Sequence, residues 1–330
     1  MDIKKFKAEA IASQISGRIN MFIGCASYET RCRTLASSID PTSVQLALIG
    51  SHVETANLVS DNKRYLEERF GDRSVSLEFS AKYPLTTANN LDTALKESSI
   101  TNRICLVDIS TFTHESLLIL FKLLTIHKKS NDKIFVAYTN AAEYDPGVPD
   151  EKKWLSYGVR EVRTILGYPG EVVPSKESHL IILVGYEHER ASELIRAFEP
   201  DLLSLGHGKS GTQTAVQHHQ TNQHFFGLVR QAFATHPGLN TFEFWCNDPT
   251  ATKLAILEQI ARYPDCNHII APMNTKLSTI GSGLVSLEDG KIQICYAEPL
   301  QYNYRNYSSP GEDCYLIEFD DLLASGEKGI

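Results

Sequence analysis

The chain carries one pattern twice. Met21-Phe22-Ile23-Gly24 leads into Tyr28-Glu29-Thr30-Arg31, and Ile181-Ile182-Leu183-Val184-Gly185 leads into Tyr186-Glu187-His188-Glu189-Arg190. Val75-Ser76-Leu77-Glu78-Phe79 returns as Asn240-Thr241-Phe242-Glu243-Phe244. The run Ile104–Thr111 answers to Ile269–Lys276, and Lys133–Tyr138 to Lys291–Tyr296. Asp40-Pro41 and Glu199-Pro200 repeat a proline after the first helical stretch. The offset is roughly 160 residues, too long for a solenoid unit and right for a whole domain. Two copies of one domain in one chain can build a site between them, as a symmetric dimer does.

The 330 residues give room for two such domains, each with its own core. Hydrophobic residues make up 42% and charged residues 22%, a globular composition. The net charge of -8 argues against general binding to duplex nucleic acid, which needs a basic face. The seven cysteines include no CxxC pair and sit in apolar runs, so they read as buried thiols in a reducing compartment. No metal site and no bound cofactor are expected. No secretory signal and no bilayer-length apolar run are found, so a cytoplasmic protein without membrane contact is expected.

Short runs rich in Ile, Leu and Val alternate with helical stretches in both halves. Strands are expected at Met21–Gly24, Val44–Ile49, Val75–Phe79, Arg103–Asp108 and Lys133–Tyr138. In the second half they are expected at Leu180–Val184, Leu202–Leu205, Thr241–Cys246, His268–Ala271 and Lys291–Tyr296. Strands separated by helices make parallel sheets by right-handed crossovers. The fold class is therefore α/β: two tandem Rossmann-like, doubly wound parallel-sheet domains related by internal duplication. The first occupies residues 1–145, a linker 146–178, and the second 179–330, with an aromatic C-terminal extension. Ile3–Ile15 reads as an amphipathic helix, Glu151–Thr164 as a helix in the linker, and Thr212–Ala234 as a helix. Gly281 and Gly283 make Ser278–Gly283 poor helix, so the fourth helix of the second copy is expected to be cut short, where the first has a longer apolar one at Ser116–Ile126.

Ligands of open parallel sheets bind beyond the carboxyl ends of the strands. After strand one stand Tyr28, Glu29 and Arg31, and Tyr186, Glu187 and Arg190. Arginines there suit anionic oxygens held by bidentate hydrogen bonds, with the glutamate orienting the guanidinium. A Glu–Arg pair on a first helical turn explains the same residues without a ligand. After strand four stand Ser110, Thr111 and Thr113, and Asn274, Thr275 and Lys276. Hydroxyls and a lysine at a strand-to-helix turn suit phosphate, although Thr113 also reads as a plain helix cap. His114, His188 and Asp108 are candidate acid–base groups by position alone. Gly208-Lys209-Ser210 has Leu203 where a P-loop needs its first glycine, and no GxGxxG follows strand one. The four histidines of the His207–His224 segment lack a metal-ligating spacing.

This arrangement resembles the CARF-like Rossmannoid sensor domains of prokaryotic defence systems. The resemblance rests on Ser110-Thr111 and Asn274-Thr275-Lys276, with Tyr28-Glu29 and Tyr186-Glu187 opposite. It implies a nucleotide or cyclic oligonucleotide held between paired domains, and an effector on a separate protein, since no effector domain is evident here. A second reading is an enzyme acting on nucleotides or sugar phosphates. Leu106-Val107-Asp108 with Ser110-Thr111-Phe112-Thr113 is similar to the ribose-phosphate loop of phosphoribosyltransferases, without its paired acids, because Ile109 follows Asp108. A two-domain glycosyltransferase fits the same architecture. A third reading is an interaction subunit with a vestigial site.

Overall fold

A computed structural model describes residues 3–214 and 218–324. The first half runs β1 (Lys4–Lys7), α1 (Ile11–Gln14), β2 (Met21–Ala26), α2 (Thr34–Ser38) and β3 (Leu46–His52). It continues α3 (Ala56–Phe70), β4 (Ser74–Phe79), α4 (Pro84–Glu97), β5 (Ile104–Asp108), α5 (His114–His127) and β6 (Lys133–Tyr144). The second half runs β7 (Ser156–Thr164), β8 (Ser178–Leu183), α6 (His188–Phe198), β9 (Leu202–Gly208) and α7 (His218–Ala232). It continues β10 (Leu239–Phe244), α8 (Pro249–Arg262), β11 (Asn267–Pro272), α9 (Lys276–Glu288) and β12 (Gln293–Tyr302). The chain ends in β13 (Ser308–Glu318) and α10 (Phe319–Ala324).

Two sheets form, with strand orders β4-β3-β2-β5-β6-β13-β1 and β10-β9-β8-β11-β12-β7. The parallel core of each has the same order, and helices follow the strands in the same places. Each is a Rossmann-like sheet, and the shared order supports the duplication. β2, β5, β8 and β11 are central, and Phe22, Ile23, Leu106, Val107, Leu180, Ile181, Ile182, Leu183 and Ile270 are 0–1% exposed. Complete burial of such side chains stabilises by about 1.5–3 kcal/mol each, which is why these strands read as continuous apolar runs.

The chain divides into compact units otherwise than at the expected boundaries. Unit 1 is Met1–Ala142 with Ser308–Ile330, and unit 2 is Glu143–Tyr307. The expected linker carries β7, antiparallel to β12 of the second sheet. The expected C-terminal extension of the second copy carries β13, which neighbours β6 of the first sheet. So the strand following β6 in the chain completes sheet two, and the strand following β12 completes sheet one. The sequence pattern of the repeat does not reveal this exchange, because both added strands lie outside the repeated runs.

Three local expectations are corrected. Lys4–Lys7 is a strand paired antiparallel with β13, not helix. Residues 156–164 form β7, not a linker helix, and only Asp150–Lys152 makes a short 3-10 turn. α9 is a continuous helix through Gly281 and Gly283. A Cβ at Gly281 would stand 2.7 Å from the Pro249 carbonyl oxygen and 2.8 Å from Thr252 Cβ. The glycine thus permits close packing of α9 on α8, which outweighs its poor helix propensity. The described part of the expected Thr212–Ala234 helix starts at His218, and residues 215–217 lie outside the described residues.

Candidate functional site

The strand-one motif forms the same device in both units. In unit 1, Arg31 Nε donates to Glu29 Oε2 at 2.8 Å and Nη2 to Oε1 at 3.2 Å. Its Nη1 donates to the Thr139 carbonyl at 3.0 Å, and the guanidinium lies 5.8 Å from the Tyr138 ring centroid. Ser308 Oγ of β13 donates to Glu29. In unit 2, Arg190 donates from Nε to the Ala297 carbonyl at 2.9 Å and from Nη1 to Glu187. It lies 5.2 Å from the Tyr296 ring, and Ser156 Oγ of β7 donates to Glu187. The loop after the first parallel strand is thereby fastened to the middle of the fifth and to the added antiparallel strand.

This corrects the expectation that Arg31 and Arg190 hold anionic oxygens of a ligand. They are 2% and 3% exposed, and their donors point at protein acceptors. Burial works to lower the Arg190 pKa, but Glu187 and the tyrosines around it outweigh burial and raise it. Both guanidinium groups are permanent cations spent on architecture. The lone Glu–Arg helical pair considered from the sequence is thus nearer the truth, with a carbonyl and a serine added.

The strand-four loops are also tied inward. Ser110 is fully buried; its N–H and Oγ donate to Asp108 Oδ1 at 3.0 and 2.5 Å, and its Oγ accepts from Thr139 N at 2.8 Å. Thr111 Oγ1 donates to the Cys25 carbonyl at 2.6 Å. These hydroxyls serve the protein, which corrects their expected role as ligand donors. Thr113 caps α5 by accepting from Ser116 N, and Thr275 caps α9 by accepting from Ser278 N. These matching caps align Thr113 with Thr275 and so His114 with Lys276, three positions away from the register read in the sequence. Asn274 Nδ2 donates to the Val184 carbonyl at 2.8 Å, joining the two loops of unit 2. Thr275 Oγ1 donates to the Cys246 carbonyl at 2.5 Å. His114 is buried, whereas Lys276 is half-buried on the first turn of a 13-residue helix.

The candidate acid–base groups differ. Asp108 is 2% exposed, and burial pushes its carboxyl up to about 6 against the lowering effect of Ser110. His188 is half-buried, and burial lowers its pKa. Tyr28 and Tyr186 are both half-buried. Tyr186 and His188 lie nearly parallel to Phe225, at interplanar angles of 26° and 24°.

A hollow of about 80 Å³ opens beside that stack in unit 2. Besides Tyr186, His188 and Phe225, its wall includes Trp154 and Tyr157, the latter 60% exposed. The sequence reading missed these two because it made their segment a linker helix. The signal available was the β-branched run Val159, Val162 and Thr164, spaced by charged residues as on an edge strand. Of the histidine-rich segment, His207 pairs with Gln223 and His219 with Gln213.

No helix among the described residues is long and apolar enough to cross a membrane. No protein-family model and no curated protein matches the chain. Among solved structures it is similar to the cytoplasmic domain of a prokaryotic cation chloride cotransporter, at 9% identity and TM-score 0.25, over 88% of this chain and 99% of that one. It is similar to PigF with SAH at 13% identity and TM-score 0.21, over 39% and 35% of the two chains. It is also similar to the rRNA methyltransferase aviRa from Streptomyces viridochromogenes at 12% identity and TM-score 0.23, over 46% and 76%. The scores are low, and the fold assignment rests on the strand orders above.

Proposed function

We propose that the protein binds a phosphate-containing, nucleotide-type ligand at the carboxyl edge of the unit 2 sheet. The observation that carries this reading is Lys276, a half-buried cation on the first turn of α9, where unit 1 has the buried His114. The helix N-terminus and the lysine both favour an anion there. The adjacent loop, joined to it through Asn274, supplies the aromatic wall of Tyr186, His188 and Phe225. Planar rings of this kind suit a base face. The hollow itself holds only part of a base, so the ligand would extend over the exposed Tyr157 at its rim. In this reading the chain is a sensor or accessory subunit, with its effector on a separate protein.

Mass spectrometry of small molecules retained by the purified protein tests the reading without presuming the ligand. Thermal-shift titration with nucleotides and cyclic oligonucleotides follows. Lys276→Ala and Tyr157→Ser are expected to abolish the shift while leaving the unliganded melting temperature within a degree or two. An unchanged shift in both variants overturns the placement. Arg190→Ala is unsuitable for this purpose, because that side chain holds the loop itself.

A further inference from the structure

The two fasteners rest on different foundations. Asp108 is level with Ala137 of β6, one residue before Tyr138. In unit 2 the Ile270–Ile294 pair puts Ala271 level with Cys295, one residue before Tyr296, so Ala271 is the counterpart of Asp108. Cys32, next to Arg31, corresponds to Ala191, next to Arg190. Thr139 Oγ1 meets Cys314 Sγ at 3.4 Å, where unit 2 pairs Ala297 with Val162. Four positions that are Asp, Cys, Thr and Cys in unit 1 are thus Ala, Ala, Ala and Val in unit 2.

Within this set, Asp108 Oδ1 accepts from Ser110, but Oδ2 is buried and has no hydrogen-bond partner. An orphan buried oxygen of this kind is rare and costly in native proteins. The groups that act on Asp108 are Ser110 of its own loop and Arg31 of the strand-one turn. Asp108 in turn acts on the thiols of Cys32, from the same turn, and Cys314, from β13. Arg31, the cation that acts on Asp108, donates to Glu29 and to the Thr139 carbonyl.

We propose that Asp108 is a proton-linked latch for the carboxyl-end loops of unit 1. Neutral Asp108 leaves Arg31 to Glu29, and Glu29 then holds Ser308 and β13. On ionisation Asp108 gives its one proton to solvent, and the resulting carboxylate competes with Glu29 for Arg31. That loosens loop 27–33, the Ser110–Thr113 loop and the start of β13 together. Unit 2, with Ala271 at the same place, has no such control.

The sign follows from burial. The folded carboxyl holds its proton to a higher pH than the free side chain, up to about 6. Opening is therefore resisted most below the ordinary carboxylate pKa and becomes easier as pH rises to about 6. His52 at the end of β3 is also in unit 1 and titrates with the opposite sign, its pKa lowered by burial to about 4. The readout is accordingly the difference between wild type and Asp108→Asn.

Hydrogen exchange of the full chain from pH 4 to 7, corrected for intrinsic rates, tests the latch. Peptides covering 27–33, 109–113 and 308–314 are expected to be equally protected in both proteins at pH 4. At pH 7 they are expected to be protected at least about tenfold better in Asp108→Asn, the factor of one unit in proton affinity. Peptides covering 156–162 and 186–190 are expected not to differ at any pH. A pH-independent difference, or one shared by the unit 2 peptides, overturns the proposal. Asp108→Ala, the counterpart residue, is the second variant. Should neither fold, carboxyl-carbon NMR of the wild type decides: an Asp108 titration in the ordinary carboxylate range overturns the proposal.

Discussion

Units 1 and 2 use one fastener over two different interiors. In both, a buried glutamate and arginine join the strand-one loop to a carbonyl within strand five, and a serine from the added strand completes the set. Beneath it unit 1 has Asp108, Cys32, Cys314 and Thr139, whereas unit 2 has Ala271, Ala191, Val162 and Ala297. Unit 2 instead carries its buried titratable pair at the amino end of the sheet. His179 Nδ1 faces His268 Nδ1 at 3.1 Å, and His179 Nε2 faces Ser204 Oγ at 2.8 Å. The difference teaches that the fastener is a requirement of the scaffold and the polar filling is particular to each copy. It also separates the questions a mutation can ask: substitutions in the fastener report on folding, and those around it report on function.

The largest expected effect is loss of either arginine. Arg31→Ala or Arg190→Ala leaves a buried carboxylate without its cation and is expected to destabilise by about 3–5 kcal/mol in denaturant unfolding. A loss under about 1 kcal/mol in one unit only would mean that its glutamate is held by other groups. That would break the equivalence of the two.

The histidine pair comes next. Burial, with the neighbouring His268, lowers the His179 pKa to about 3, below that of a free imidazole. A lowered histidine contributes stability that is present above its unfolded pKa and is lost as pH falls toward the folded one. Unit 2 is expected to lose about 2–3 kcal/mol between pH 6.5 and about 4.5 from this source. His179→Phe should flatten that slope, as followed by hydrogen exchange in β8 and β11. A slope unaffected by the substitution would assign the acid sensitivity elsewhere.

The smallest effect concerns the helix caps. Thr113→Ala and Thr275→Ala each remove a side-chain acceptor from a first turn and are expected to cost about 1 kcal/mol. Thr275 also donates to Cys246, so its substitution should be the costlier of the two. Equal costs would indicate that the Cys246 contact adds little.

The parallel sheets were legible in the sequence because their central strands are covered on both faces and carry unbroken apolar runs, such as Leu180–Leu183. The added strands were not. Ser156–Thr164 is partly exposed and intersperses Val159 and Val162 with Arg160, Glu161 and Arg163, and Ser308–Glu318 buries only the short run Cys314–Ile317 after a polar start, so both resemble linker. Lys4–Lys7 is mostly exposed and becomes a strand only because β13 supplies a partner from the other end of the chain. α9 was misread because a glycine's helix cost is local, whereas the approach of α8 that rewards Gly281 is tertiary. The strand-one motif was found by its repetition, yet its chemistry was misassigned. Sequence places an arginine at a strand end but does not say whether a backbone carbonyl waits behind it. Lys276 was found for the reason that still recommends it, a cation beginning a helix after a central strand.

The most direct test of a shared fastener is a pair of double-mutant cycles, Glu29→Gln with Arg31→Met and Glu187→Gln with Arg190→Met, read by denaturant unfolding. Two couplings of the same sign, each above about 1 kcal/mol, are predicted. A coupling near zero in either pair would contradict the account, because the loops would then be held without the device that the two copies are said to share.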